Sequence, residues 1–179
     1  VAQRRFMEKL TELVGFTQDM IRKGLVPSTR VLEKKVMYPP PKIKELLRLE
    51  KGEAVLFLKR IRYASGEPIA LQNAYIPLKF FPGIETVDLE KESLYATFKK
   101  FGRPPLWANQ NMEATVARDN RQTELLGITP GSAIMVTERL TYDSEENPIE
   151  FTVTFYRGEN YQFTVRLTNP EFVERSNYE

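Results

Sequence analysis

Apolar and polar residues alternate with two different periods along the chain, and these periods predict a mixture of short helices and strands. Helical spacing occurs in five segments: residues 1–13, 17–23, 42–49, 93–101 and 119–126. Two-residue alternation with β-branched and aromatic residues occurs in seven segments: 29–38, 55–63, 69–76, 111–117, 133–142, 148–156 and 161–167. Because helices and strands do not alternate regularly, the pattern predicts an α+β fold with a mostly antiparallel sheet.

Two parts of the chain resemble each other. Residues 45–55 align with residues 124–134, and the register continues so that Arg60 matches Arg139. Each copy contains a helix, a turn, a strand and the return strand of a hairpin. The alignment therefore predicts an internal pseudo-repeat, a sheet with two related halves, and a site between those halves. Two copies are too few for a solenoid, which needs at least ~3.

Composition narrows the classes of function. The chain has 179 residues, 26 Lys and Arg against 24 Asp and Glu, and a net charge of +2, which suits one large or two small globular domains. No apolar stretch is long enough to span a membrane and no secretory signal is visible, so we expect a cytoplasmic protein. Cysteine and histidine are both absent, which excludes disulfides, thiolate or imidazole catalysis and the common metal sites. The composition favours binding over catalysis, with no cofactor and no metal.

A pair of arginines is the first candidate for a binding site. Arg60 and Arg62 are two positions apart in a predicted strand, so their side chains point to the same face of the sheet. A phosphate or carboxylate could satisfy both guanidinium groups. The alternatives are a solvated face or pairing with Glu67 or Glu150.

Two predicted helix starts and one pair of strand residues are weaker candidates for a binding site. Phe16 and Thr17 open a predicted helix, where free N–H groups bind anions or where Thr17 is a plain N-cap. Ser93 is a good N-cap for the helix over 93–101. Glu150 and Tyr156 share one face of a strand and could hold sugar-like hydroxyl groups; the alternative is a surface carboxylate beside a half-buried tyrosine.

The ordered set of motifs resembles the effector-binding domain, called UTRA, of the HutC subfamily of GntR-superfamily transcription regulators. The resemblance runs from about residue 10 to the last strand and is carried by these segments: 15–20 with Gly24, 60–63 with 66–69, 75–77, 81–83, 93–95, and 148–150 with 156–158. It implies a chorismate-lyase-like α+β fold, in which helices pack about an antiparallel sheet and enclose a ligand pocket.

The resemblance also implies a role for each candidate. In relatives that sense sugar phosphates, residues matching Phe16 and Thr17 donate to the phosphate, and residues matching Arg60 and Arg62 hold the anionic group. Gln72 stands where many members carry Glu. The effector-binding residues that the resemblance implies are Phe16, Thr17, Arg60, Arg62, Gln72, Ser93, Tyr95, Glu150 and Tyr156.

The expected organisation follows from the same resemblance. Residues 1–14 are expected to be a linker helix from a winged helix-turn-helix domain that this chain lacks, 15–170 the UTRA domain and 171–179 a C-terminal tail. We expect a homodimeric, non-enzymatic domain that binds a small anionic metabolite, such as a sugar phosphate, and modulates DNA binding by the absent N-terminal domain. Two alternatives stay open: a chorismate-lyase-like enzyme with Glu150 as acid, and a pure dimerisation module.

Overall fold

The computed structural model describes residues 6–9 and 11–167, with side chains from residue 11 onward. The strands are β1 (Phe6–Lys9), β2 (Pro27–Met37), β3 (Val55–Ala64), β4 (Glu67–Pro77), β5 (Trp107–Val116), β6 (Ala133–Tyr142), β7 (Pro148–Arg157) and β8 (Tyr161–Thr164). The helices are α1 (Phe16–Arg22), α2 (Pro41–Leu46), α3 (Leu94–Lys100) and α4 (Asn120–Leu126), with a 3₁₀ turn at Ile84–Thr86.

Six strands form one antiparallel sheet in the order β2-β3-β4-β7-β6-β5. Exchanging the two copies of the repeat, so that β2, β3 and β4 replace β5, β6 and β7, leaves this order unchanged. An approximate two-fold axis therefore passes between β4 and β7, where Asn73 lies opposite Val153. The α+β class, the antiparallel sheet and the internal pseudo-repeat are confirmed.

Helices cover both faces of the sheet. We call the face that carries Arg60 the front face and the face that carries Lys59 the back face, since neighbouring side chains of a strand point in opposite directions. On the front face, Leu58 packs against Phe98 of α3 in a fully buried cluster. On the back face, Leu71 packs with Leu126 of α4. Burying each of these large side chains stabilises the fold by about 1.5–3 kcal/mol.

The predicted helix over residues 1–13 is wrong wherever the structure describes it. Phe6–Lys9 is the strand β1, which pairs in parallel with β8 so that Phe6 lies opposite Tyr161. Residues 11–14 are a turn and irregular backbone. The pairing supplies β8 with a hydrogen-bonded neighbour, and this long-range gain outweighs the local helical spacing. The rest of the linker-helix prediction and the tail at 171–179 lie outside the described residues.

The other predicted elements are present, with shifted ends. Strand β5 begins at Trp107 rather than at residue 111, because polar residues at an exposed sheet edge hide the alternation on which the prediction depends. Helix α4 begins as predicted, since the Asp119 carboxylate accepts the backbone N–H of Gln122 at 2.8 Å. Between residues 11 and 167, no helix has the length and apolar character that crossing a membrane requires.

Candidate functional site

A cavity lies on the front face of the sheet, beneath the first turns of α1 and α3. Its free volume is about 50 Å³, where a single water needs about 10–15 Å³. All nine residues singled out from the sequence line it: Phe16, Thr17, Arg60, Arg62, Gln72, Ser93, Tyr95, Glu150 and Tyr156. Seven further residues complete the lining: Val14, Gly15, Asp19, Leu94, Arg139, Thr152 and Tyr161.

The cavity lies between the two copies of the repeat. Residues 15–17 at the start of α1 line one side, and residues 93–95 at the start of α3 line the other. Arg60 of β3 and Arg139 of β6, which are matched positions of the repeat, both line it. The site between two related halves that the repeat predicts is therefore present as a cavity.

Arg60 and Arg62 are buried in this cavity without enough acceptors. Their exposed fractions are 2% and 4%, so the solvated-face alternative is wrong. Arg60 Nη2 donates to Gln72 Oε1 at 2.5 Å, and Arg62 Nη2 donates to Thr17 Oγ1 at 3.4 Å. Arg60 Nε, Arg60 Nη1 and Arg62 Nε find no acceptor among the described residues. Each such buried donor costs about 1–3 kcal/mol.

The electrostatics of the arginine pair favour an anion. Burial lowers the pKa of Arg60 to about 10, although the charge of Glu150 acts in the opposite direction. Burial, and then the neighbouring charge of Arg60, lower the pKa of Arg62 well below its usual value. Asp19 also lines the cavity, but its carboxylate is paired with Lys23 Nζ at 2.5 Å. A negatively charged ligand would relieve both the repulsion and the desolvation.

The start of α1 is arranged differently from the predicted cap. Gly15 occupies the N-cap position and Thr17 is the second residue of the helix, so the prediction of Thr17 as N-cap is wrong. The Thr17 hydroxyl faces Arg62 instead. The Phe16 ring lies under the same guanidinium, 4.3 Å from ring centroid to Cζ. Gly15 lets the backbone approach Tyr95 closely, since a Cβ there would lie 3.1 Å from Tyr95 Cδ2.

A cluster of hydroxyl groups surrounds a buried carboxylate on the other side of the cavity. Glu150 is 2% exposed, so the alternative of a surface carboxylate is wrong. Thr141 Oγ1 donates to Glu150 Oε2 at 3.3 Å and lies 3.4 Å from the Tyr95 hydroxyl. Burial raises the pKa of Glu150, opposed by the charges of Arg60 and Arg139. Burial and Glu150 raise the pKa of Tyr95 to about 12, so its hydroxyl keeps its proton at neutral pH.

Sequence reasoning missed four polar residues of the lining: Asp19, Arg139, Thr152 and Tyr161. Arg139, whose Nε donates to Gln110 Oε1 at 2.7 Å, could have been found because the repeat aligns it with Arg60. Thr152 and Tyr161 left no such signal. The Tyr161 ring stacks on Tyr156 with 4.1 Å between centroids. Ser93 does occupy the N-cap position of α3, but its hydroxyl makes no capping bond among the described residues.

Comparison with known proteins identifies the family. Residues 22–162 match the UTRA domain. The chain is 25% identical over 158 residues to the HTH-type transcriptional regulator GgaR of Escherichia coli strain K12, with 88% of this chain and 62% of GgaR covered. It is 23% identical over 164 residues to the HTH-type transcriptional repressor NagR of Bacillus subtilis strain 168, with 91% and 67% covered.

A solved structure shows the same fold. The crystal structure of PhnF from Mycobacterium smegmatis superposes with a TM-score of 0.85 at 22% identity, with 94% of this chain and 74% of that chain covered. The chain spans 62% of the length of GgaR. The matched relatives are transcription regulators, which points to a regulator domain and not an enzyme. This chain therefore belongs to the UTRA domain family.

Proposed function

We propose that this domain binds a small phosphorylated metabolite, a sugar phosphate or amino-sugar phosphate, in the front-face cavity. One observation carries the proposal: the buried guanidinium groups of Arg60 and Arg62 retain three donor nitrogens, Arg60 Nε, Arg60 Nη1 and Arg62 Nε, without an acceptor among the described residues. Folding a domain around two such cations is costly, and a bound anion offsets that cost.

The number of unsatisfied donors favours phosphate over carboxylate. A phosphate monoester presents three acceptor oxygens and up to two negative charges, whereas a carboxylate presents two oxygens and one charge. Arg60 offers two unpartnered donors and Arg62 offers one. Phe16 and Thr17, which already contact Arg62, would complete this end of the site.

The opposite side of the cavity suits the hydroxyl or amino groups of a sugar. Glu150 accepts hydrogen bonds, and the Tyr95 and Ser93 hydroxyl groups can donate or accept. A free volume of about 50 Å³ holds an anionic group but not a whole sugar phosphate. Binding therefore requires the first turns of α1 and α3 to separate, and this movement is the conformational change that the ligand would stabilise.

The route from the cavity to the N-terminal segment passes through two tyrosines. Tyr156 and Tyr161 both line the cavity and stack on each other. Tyr161 is the first residue of β8, which is hydrogen-bonded to β1. The N-terminal segment is where the sequence predicts a link to a winged helix-turn-helix domain. A ligand that moves the Tyr156 ring would thus bias the position of β1 and, through it, DNA binding.

We also propose that the domain is a homodimer. Helix-turn-helix regulators bind two half-sites as two-fold symmetric dimers, so a domain that regulates them must accommodate or supply that symmetry. Strand β5 lies at one edge of the sheet with most of its side chains exposed, which leaves it accessible to a second copy. Sedimentation equilibrium of the chain should give twice the 20.8 kDa monomer mass, and a monomer at all concentrations would contradict this part.

Isothermal titration calorimetry tests the ligand assignment. Inorganic phosphate, glucose 6-phosphate, glucosamine 6-phosphate, unphosphorylated glucosamine and acetate are titrated into the chain. We expect binding of the phosphorylated compounds only, and the tightest ligand at ~100 times its Kd should add ~2.7 kcal/mol to the free energy of unfolding.

Matched variants connect that binding to the arginine pair. Arg60→Met and Arg62→Met should each weaken phosphate binding by about 1.5–3 kcal/mol, the range for hydrogen bonds to charged groups. Arg30→Met removes the same charge from an exposed position of β2 and should leave the affinity unchanged. Equal affinity in all three variants would contradict the site assignment, and preferential binding of acetate would replace phosphate by a carboxylate.

Hydrogen exchange tests the coupling. Backbone amides of β8 should exchange more slowly when the front-face cavity holds a phosphorylated ligand, because the tyrosine pair is then fixed. A Tyr156→Leu variant should lose this protection while still binding inorganic phosphate. Protection of β8 that is independent of the ligand would disconnect the cavity from β1.

A further inference from the structure

A second and larger cavity lies on the back face of the sheet. Its volume is about 410 Å³, within the range of about 300–1,000 Å³ that small-molecule sites occupy. Leu71, Asn73 and Phe155 form its floor, and residues 115–125 form its wall. Each floor residue is the sequence neighbour of a residue whose side chain points to the front face, so the two cavities are separated by the full thickness of the sheet.

Three cations line this back-face cavity. Lys59, Arg118 and Arg121 contribute to the lining, and none of the three forms an ion pair within the described part of the chain. Two carboxylates lie near them but are already engaged. Asp119 caps the first turn of α4. Glu33, which is opposite Lys59 in register, forms its ion pair with Lys35 at 2.6 Å, and its charge also attracts Lys59 and Arg121 without an ion pair to either.

The internal repeat allows the charges in this cavity to be compared with those at the matched positions of the other half. The alignment that matches Arg60 to Arg139 also matches Lys59 to Glu138 and Arg121 to Lys42. In the other half, Lys42 Nζ and Glu138 Oε1 form a salt bridge of 3.1 Å. In this half the same two positions are both positive. The charge pair that closes one half is therefore replaced by two like charges that an external anion could join.

The side chains that line the floor and wall of this cavity are smaller than their counterparts in the other half of the repeat. In the repeat, Leu71 corresponds to Phe151. Thr115 corresponds to Met37, because their partners in the sheet, Ile134 and Val55, are matched positions. Phe151 and Met37 fill their half in a packed cluster with α2. The smaller Leu71 and Thr115 leave the volume open, while Leu71 and Phe155 keep the floor apolar.

Asn73 adds a polar group to this apolar floor. Its Oδ1 atom is buried and finds no donor among the described residues. The residue directly opposite it across the two-fold axis is Val153, which packs in the apolar cluster beneath α2. A buried acceptor without a donor destabilises the fold, so its presence at the floor of an open cavity indicates a partner from outside the chain.

We propose that the back-face cavity is a second ligand site, which binds a small organic acid with an apolar body and a hydrogen-bond donor. The acidic group lies between Lys59 and Arg121, the apolar body covers Leu71 and Phe155, and the donor reaches Asn73 Oδ1. This site is independent of the phosphorylated ligand proposed for the front face, since the two share no lining residue.

Titration of the ¹⁵N-labelled chain with sodium 6-hydroxy-2-naphthoate, whose hydroxyl group supplies the donor, followed by two-dimensional NMR, tests the proposal. We expect saturable shifts of the backbone amides of Asn73, Phe155 and residues 118–122, with the amides of α1 unaffected, and a Kd below about 10 mM. Shifts confined to α1, or no saturable shift on the back face, would overturn the proposal. Inorganic phosphate is the second probe and should shift α1 amides instead.

Variants that copy the other half of the repeat make the test specific. Lys59→Glu restores the missing salt bridge with Arg121 and should weaken hydroxynaphthoate binding about tenfold or more. Leu71→Phe should fill the cavity with the same loss, by a route that does not change the charge. Lys42→Glu makes the same charge change as Lys59→Glu outside the cavity and should bind like the parent. Unchanged affinity in both Lys59→Glu and Leu71→Phe would refute the site.

Discussion

The guanidinium group of Arg62 stacks on the ring of Phe16, with 4.3 Å between Cζ and the ring centroid. This contact joins the centre of the sheet to the first turn of α1, and it orients a buried cation whose Nε has no acceptor in the described structure. The ring therefore orients the guanidinium group in the ligand-free domain and stabilises its charge.

Replacing that ring weakens anion binding without removing a charge. Phe16→Leu keeps an apolar side chain but removes the aromatic face, so affinity for the phosphorylated ligand should fall by about 0.5–2 kcal/mol, the usual range for cation–π contacts. Calorimetry measures the change. A Phe16→Tyr variant, which keeps the ring, should retain the affinity; if Leu and Tyr behave alike, the stack plays no part in binding.

A carboxylate at position 72 would compete with the ligand. Gln72 Oε1 accepts from Arg60 Nη2, so Gln72→Glu places a negative charge beside the arginine pair. We expect the ligand-free domain to gain about 1–2 kcal/mol in unfolding free energy and to lose about tenfold in phosphate affinity. Urea titration and calorimetry check the two effects, and a variant that binds phosphate as tightly as the parent contradicts the expectation.

The buried carboxylate of Glu150 destabilises the ligand-free domain at neutral pH. Burial raises its pKa above the ordinary value of 4.5. Between pH 4.5 and the raised pKa, the folded state therefore binds a proton that the unfolded state has lost. Within this window stability falls as pH rises. Glu150→Gln should therefore be about 1 kcal/mol more stable than the parent at neutral pH.

The test measures the difference in unfolding free energy between Glu150→Gln and the parent. It should shrink as pH falls through the raised pKa of Glu150 and vanish below 4.5, where both states of the parent are protonated. Urea titrations at a series of pH values measure it. A difference that stays constant with pH would mean that the amide stabilises the fold for a reason other than ionisation.

The close approach of Gly15 and Tyr95 predicts a coupled pair. The Cβ of a Gly15→Ala variant would lie 3.1 Å from Tyr95 Cδ2, so the half-buried ring must shift and stability should fall by about 1–3 kcal/mol. In a Tyr95→Leu background the same substitution should cost almost nothing. A double-mutant cycle of unfolding free energies measures this coupling, and additive effects would mean that the ring moves freely.

Asp143 holds the hairpin between β6 and β7, whose strands carry Arg139 and Glu150. Its carboxylate is 2% exposed, accepts from Arg103 Nη1 at 2.5 Å and accepts the backbone N–H of Asn147 at 3.0 Å. Burial acts to raise its pKa, but these hydrogen bonds outweigh burial and lower it. Asp143→Asn should cost about 2 kcal/mol of stability at neutral pH.

The pH dependence of this variant has the opposite sign to that of Glu150→Gln. Because the folded pKa of Asp143 is lowered, its stabilisation is complete above the ordinary value of 3.8 and is lost as pH falls below it. The cost of Asp143→Asn should decline over the same range. Asp88→Asn, at an exposed position, is the matched control and should leave the stability almost unchanged.

Local sequence signals were sufficient for most of the fold. The two hairpins, β3–β4 and β6–β7, have clear alternation and turn residues, and the repeat places them side by side. Strand β1 could not be predicted, because it is stabilised by pairing in parallel with residues 161–164, which are more than a hundred positions away. The apolar spacing near the N-terminus fits a helix equally well, and only the tertiary partner decides between them.

The candidate site was predictable in its membership but not in its energetics. Spacing puts Arg60 and Arg62 on one face, yet whether they find carboxylates depends on the packing of α1 and β7 above and beside them. Tyr161 lines the cavity only because the turn after β7 returns its ring onto Tyr156, and no motif signals that return. The repeat alignment matches Arg139 to Arg60, but it does not show that the two residues line the same cavity in the folded domain.

The two-fold axis also affects how this domain can evolve. The arginine pair and Thr17 belong to the first copy of the repeat, whereas Arg139, Tyr95 and Glu150 belong to the second. In the proposed site, the residues that would anchor an anion and the residues that would contact the rest of the ligand are thus encoded in separate stretches of the gene. Recombination or mutation within the second stretch alone could exchange one metabolite for another while the anchor is inherited intact.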